Sequence, residues 1–218
     1  MKQLYCENIS KAFRGKQIFL HANLHADKGT ITGIVGANGV GKSVLFKLIS
    51  GIYRVDEGNI FVCGKRIGDG FDFPPDMGVF IDSPGFIPLY SGFKNLKLLA
   101  DIRSLVSSQD IRNAMARVGL DADDKTRVVN YSLGMKQKLG IAQAIMENQD
   151  ILLLDEPFNA LDEMSHAKMI ELLKTLKEEG KTILLTSHNF GDILTLCDFV
   201  YKIQDAKIVE ITSESLYP

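Results

Sequence analysis

Gly36-Ala37-Asn38-Gly39-Val40-Gly41-Lys42-Ser43 fits the pattern G-x-x-x-x-G-K-[ST] without a mismatch. Taken alone, the run is compatible with an ordinary glycine turn between a strand and a helix. Its flanks supply what the pattern needs. Ile31 to Val35 reads as an apolar strand preceded by the turn signal Lys28-Gly29, and Val44 to Ile49 as a buried helix ending at Gly51. Small residues at such a junction let successive backbone N–H groups wrap a β-phosphate at the helix N-terminus. In that reading Lys42 brings a positive charge to the β- and γ-phosphates, and Ser43 offers its hydroxyl to Mg²⁺.

Further out, Leu4 to Ile9 and Ile18 to Leu24 are strand candidates, and Ile60 to Val62 and Val79 to Ile81 form a strand pair around a Gly/Pro-rich loop. From about Pro84 to Tyr131 the pattern turns helical. Leu96, Leu99, Ile102 and Val106 keep helical spacing, as do Ile111, Met115 and Val118 behind a capping-box start at Ser107 and Asp110. Gly119 closes that helix. Ile151 to Leu154 is a continuous apolar run, as expected of a strand covered on both faces. A stripe at Met164, Ala167, Ile170, Leu173 and Leu176 ends at Gly180, and strands follow at Thr182 to Thr186, Phe199 to Ile203 and Ile208 to Ile211. Strands alternating with helices predict an α/β fold around a mainly parallel sheet.

Asp155 and Glu156 follow directly on the 151–154 strand, at its C-terminal edge, where open α/β sheets place ligands. One carboxylate can hold Mg²⁺ and the next can polarise an attacking water. Two acids at a strand end are usually just that; a phosphate cradle upstream makes them the second half of one site.

Composition narrows the remaining classes. The 218 residues suffice for one large domain, or one with an inserted subdomain. Lys and Arg number 25 against 27 Asp and Glu, a net charge of −2, which gives no electrostatic basis for nucleic-acid binding. Cys6, Cys63 and Cys197 lack C-x-x-C spacing and read as buried, reduced thiols suited to the cytosol. No apolar stretch approaches the roughly 18 residues needed to cross a bilayer, so a membrane role has to come from a partner.

These motifs together resemble the ATP-binding subunits of ABC transporters. Gly36–Ser43 resembles Walker A and Ile151–Glu156 Walker B. Tyr131-Ser132-Leu133-Gly134-Met135-Lys136-Gln137 resembles the ABC signature, Asn159-Ala160-Leu161-Asp162 the D-loop, and His188 in Thr186-Ser187-His188 the switch histidine. The order and spacing cover nearly the whole chain. The variant signature and the segment Ile81–Phe86 look most like the bacitracin-resistance and multidrug branch of exporters. The resemblance implies a single ABC ATPase domain over 1–218: a P-loop α/β core, a small antiparallel β region and a helical subdomain inserted near 84–134. It also implies a cytoplasmic chain, peripheral on the inner membrane face through a separate permease. Two ATP-binding chains would close on ATP and Mg²⁺, with Ser132, Leu133, Gly134 and Met135 meeting the nucleotide of the opposite subunit. Asp162 belongs to the D-loop, Ser43 and Asp155 would hold the metal, and Glu156 would be the base. A ribosome-acting ABC protein would usually carry two such domains and a basic linker, and a DNA-repair ATPase a long coiled coil; neither feature is present.

Several positions keep a second reading. Ser132 is placed to cap the helix carrying Leu139, Ala142, Ile145 and Met146, a role compatible with phosphate contact. His188 is either a structural histidine or one touching the γ-phosphate and the catalytic water. Phe13 occupies the place of the family's adenine-stacking aromatic, against an ordinary core phenylalanine. Three departures stand out: Leu133 and Met135 replace the usual glycine and glutamine of the signature, Val44 replaces the commoner Thr or Ser, and Asp82 stands at the Q-loop glutamine. Asp82 is either a solvated loop residue or a group that reaches Mg²⁺ in the closed ATP state.

Overall fold

The computed structural model describes residues 2–68, 70, 72–74, 76–82 and 85–212. Ser83 and Pro84, on which the Ile81–Phe86 reading and the start of the helical insertion partly fall, lie outside them.

Among the described residues ten strands form two sheets. The six-stranded sheet runs β10-β9-β3-β8-β7-β6, from β6 (Met77–Phe80), β7 (Ile151–Leu154), β8 (Thr182–Thr186), β3 (Ile31–Val35), β9 (Phe199–Gln204) and β10 (Lys207–Ile211). All neighbours are parallel except β9 and β10. The second sheet, order β2-β1-β4-β5, is antiparallel: β1 (Lys2–Phe13), β2 (Lys16–Asp27), β4 (Glu57–Val62) and β5 (Lys65–Arg66). The strands expected near 60 and 79 both form, but they do not pair: one lies in each sheet.

The apolar runs have a direct physical cause. Along β7, Leu152 and Leu154 enter one core cluster while Ile151 and Leu153 enter the other. Likewise Ile183 and Leu185 of β8 face one side and Leu184 the other. With period two, a strand covered on both faces has to be apolar throughout. One cluster gathers α2 (Gly92–Arg103), α3 (Ser108–Arg117), α4 (Leu133–Ile145), α5 (Glu163–Glu178) and α6 (Phe190–Leu196) against the sheet. The other holds α1 (Lys42–Ile49) and the antiparallel sheet.

The helix ends follow their sequence signals. Ser107 and Asp110 complete the expected capping box, and Ser132 caps α4 by accepting from the Met135 N–H. Helical faces follow less closely. Leu96 is buried, but its companions on α2 are Gly92, Asn95 and Ala100, while Leu99 sits at the rim and Ile102 is 78% exposed. Six residues from Leu96, Ile102 has turned well off the buried face. Met164 and Ala167 are likewise exposed, while α5 buries the expected Ile170, Leu173 and Leu176 together with Ser165, Met169 and Leu172. Short α6, directly after His188, was not anticipated. All three cysteines are free, but Cys63 is exposed rather than buried. Burial pushes the Cys6 and Cys197 thiols up to about 12.

Candidate functional site

The C-terminal edges of β3, β6 and β7 converge on a cleft of about 610 Å³. Its lining includes Asn38, Gly39, Gly41, Lys42, Ser43, Asp82, Asp155 and Glu156 from the predicted set, together with Val44 and, from the signature, Leu133. Gly41 is the N-cap of α1 at φ 121, left-handed territory that glycine enters freely, and a Cβ there would come within 2.7 Å of Ile18. No side chain caps this helix, so its first N–H groups stay available to an anion. Lys42, buried, folds back along the loop and donates from Nζ to the carbonyls of Gly36 (2.9 Å) and Ala37 (3.5 Å). The Val40 N–H bonds the Ala37 carbonyl at 3.3 Å, which tightens the turn.

Two hydroxyls hold Asp155. Ser43 Oγ donates to Oδ2 at 2.5 Å and Thr186 Oγ1 to Oδ1 at 2.7 Å. Thr186 serves twice, since its Oγ1 also accepts from the Glu156 N–H at 2.7 Å. On the other side the Glu156 carbonyl accepts from Gln137 Nε2 at 2.7 Å. These two bonds fix Glu156 at φ 50, a left-handed conformation that costs a non-glycine residue about 1 kcal/mol or more. Its side chain meets His188: Oε2 lies 2.9 Å from Nδ1 and accepts from the His188 N–H at 3.3 Å. His188 is otherwise open, its side chain 68% exposed.

The oxygen donors of Ser43 and Asp155, converging on one point of the cleft, fit a hard divalent cation such as Mg²⁺. Asp82, at φ 55, does line the cleft, but its Oδ2 is paired with Lys47 Nζ at 2.6 Å. The Asp82 carboxylate raises the pKa of Lys47, on α1, above its ordinary value. In this arrangement Asp82 is an exposed carboxylate held by Lys47 rather than a free one.

Most other expected residues, His188 among them, lie outside the cleft lining. Phe13 is exposed, edge-on to Tyr53 with centroids 5.3 Å apart, and Lys11 Nζ stands 5.0 Å from its ring. Ser132 is exposed, Gly134 and Met135 partly so, and Leu133 is 64% exposed at the cleft rim. A Cβ on Gly134 would lie 2.7 Å from the Ala160 carbonyl, so the signature and the D-loop approach closely within one chain. Asp162 caps α5 by accepting from the Ser165 N–H at 2.8 Å, which holds its carboxyl below the usual range. In the sequence Thr186 and Gln137 stand only within the switch-histidine and signature segments, with no role of their own, because the bonds that give them one cross the chain.

A glycine-rich loop cradling a helix N-terminus, beside a paired carboxylate dyad at the C-terminal edge of a parallel sheet, defines a P-loop nucleotide hydrolase. The family model described as ABC transporter matches residues 19–159. An uncharacterized ABC transporter ATP-binding protein of Bacillus subtilis, YybJ, is 38% identical over 210 residues, covering 96% of each chain. The bacitracin transport ATP-binding protein BcrA of Enterococcus faecalis is 34% identical, over 94% of this chain and 67% of its own. The lantibiotic transport ATP-binding protein SrtF of Streptococcus pyogenes is 32% identical, over 94% and 89%. A solved ATP-binding subunit of an ABC transporter shares the fold with a TM-score of 0.87 at 23% identity, over 98% of this chain and 91% of that one. A dimeric bacterial ABC transporter cassette does so at 0.85 and 22%, over 96% and 98%. The chain belongs to the ABC transporter family as one of its ATP-binding subunits, and its chemistry is ATP hydrolysis coupled to transport.

Proposed function

We propose that this chain works as one of two copies that close around ATP on the cytoplasmic face of a membrane permease and drive export. The observation that carries the reading is the meeting, in one cleft, of the uncapped α1 N-terminus with the Ser43–Asp155 pair and with Glu156, which His188 bonds from outside the lining. The relatives named for bacitracin and lantibiotic transport favour a peptide-like substrate selected by the permease.

In this scheme the loop 36–43 and Lys42 bind the phosphates, Lys42 exchanging the Gly36 and Ala37 carbonyls for phosphate oxygens. Glu156 accepts a proton from the attacking water, and His188, bonded to the same carboxylate, keeps that oxygen pointed into the cleft. Thr186 and Gln137 hold the Glu156 backbone, so the base does not reorganise during the reaction. Ser43 and Asp155 would hold Mg²⁺, which would supply charge neutralisation to the bound phosphates. The Ser132 hydroxyl and the exposed start of α4 receive the γ-phosphate of the partner copy, and Phe13 stacks on adenine. Asp82, held by Lys47 in this arrangement, would be a further oxygen ligand for the metal and would tie it to the loop entering the helical subdomain, which the permease would contact. No described helix is long and apolar enough to cross a membrane, in keeping with attachment through a permease.

The test is Glu156→Gln, which keeps size and removes basicity. Turnover should fall at least about 100-fold while ATP binding persists. A variant hydrolysing ATP near the wild-type rate would remove Glu156 from this role.

A further inference from the structure

The loop carrying His188 is fastened by a buried carboxylate that the scheme above leaves unused. Asp192, in the first turn of α6, is only 4% exposed. Its Oδ2 accepts from Ser187 Oγ at 3.1 Å, and its Oδ1 accepts from Asn189 Nδ2 at 3.3 Å. Both residues flanking His188 are therefore tied to one side chain. The third donor comes from another element: His166 Nε2, in the first turn of α5, lies 2.9 Å from Asp192 Oδ1. The His166 N–H in turn bonds the Asp162 carbonyl at 2.8 Å, and its ring tilts against Phe158 at 5.0 Å, two residues beyond Glu156.

A buried carboxylate needs its donors, and removing one leaves an oxygen short of a partner and the segment free to relax. Here the segment is 187–189. Because His188 holds Glu156 Oε2 through both its backbone N–H and Nδ1, a shift there moves the histidine and loosens the base together. Misplacement on the order of 1 Å in such a pair is enough to slow chemistry severely.

We infer that His166 is a positioning residue for ATP hydrolysis, setting His188 against Glu156 through Asp192 from the helix that begins at Asp162. The inference rests on the roles given above to Glu156 and His188. It provides a route by which a second chain pressing on residues 159–162 reaches His188 through α5.

The experiment is a double-mutant cycle on the full chain, with steady-state ATPase kinetics for His166→Ala, His188→Ala and the pair. His166→Ala should lower kcat about tenfold with KM for ATP held within about twofold, and His166→Gln, which keeps an N–H donor, should recover most of the loss. In the His188→Ala background the His166 change should cost less than about twofold, since the group it positions is gone. The same tenfold loss in both backgrounds, or no loss from the single variant, would overturn the inference. Should His166→Ala fail to fold, near-isosteric Asp192→Asn is put through the same cycle with the same expectation. Wild-type turnover in His188→Ala alone would instead bring down the underlying reading of the site, and this inference with it.

Discussion

Two helices begin at the nucleotide cleft, and they are finished in opposite ways. The α1 helix starts at Gly41 with no side-chain cap, among partners from its own chain, beside a buried Lys42. The α4 helix starts at Ser132, which satisfies the Met135 N–H, and it leaves Leu133 64% exposed. An open N-terminus amid its own counter-charges is ready for phosphate within one chain. A self-capped, exposed one is stable alone and lacks a ligand-side partner. One chain thus contains a whole phosphate cradle and a second contact surface that its own fold leaves uncovered.

This contrast is open to breaking at each side. Lys42→Ala deletes the charge opposite the phosphates and should weaken ATP binding by more than about tenfold in nucleotide titration; unchanged affinity would contradict the cradle. Thr186→Val keeps shape but strands the Glu156 N–H and one oxygen of Asp155. It should cost about 1–3 kcal/mol of stability in denaturant unfolding and lower kcat roughly tenfold. Phe13→Ala should weaken ATP by roughly 1 kcal/mol through lost stacking, and equal ATP and GTP affinities unmoved by the change would retire adenine stacking. Ser132→Ala should cost about 1 kcal/mol of stability as a lost helix cap while leaving the single chain's ATP affinity unchanged. A loss of affinity in dilute protein would mean that α4 serves its own chain's nucleotide. The smallest expected effect is that of Asp82→Ala. It should raise the Mg²⁺ concentration for half-maximal turnover a few-fold, because the pair it breaks with Lys47 is largely exposed and weak. Wild-type Mg²⁺ dependence would leave Asp82 as the partner of Lys47 alone.

Sequence pattern made the cradle, the carboxylates and the sheet legible because each rests on local chemistry. The glycines of 36–41 permit a loop that few other residues allow, and the apolar run 151–154 is what burial on both faces requires. Legibility ended where side chains meet across the chain. Nothing near Thr186 announces that its hydroxyl bridges Asp155 and Glu156, 31 and 30 residues away. Lys47 read as one residue of a buried helix, yet it decides where Asp82 points. The α2 stripe failed for a related reason. Asn95 is polar but buried because it bonds both backbone groups of Ile87 and the Ser91 carbonyl, and hydrophobicity alone assigns it to the wrong face.

The central claim is that the exposed start of α4 completes the site of a second copy. The most direct measurement is the solution mass of the Glu156→Gln chain by light scattering, with and without saturating ATP and Mg²⁺. Blocked hydrolysis should trap the closed pair, so the mass should double with ATP and return to that of one chain when Ser132→Ala and Gly134→Asp are added. A single-chain mass at saturating ATP, with ATP demonstrably bound, would contradict the account.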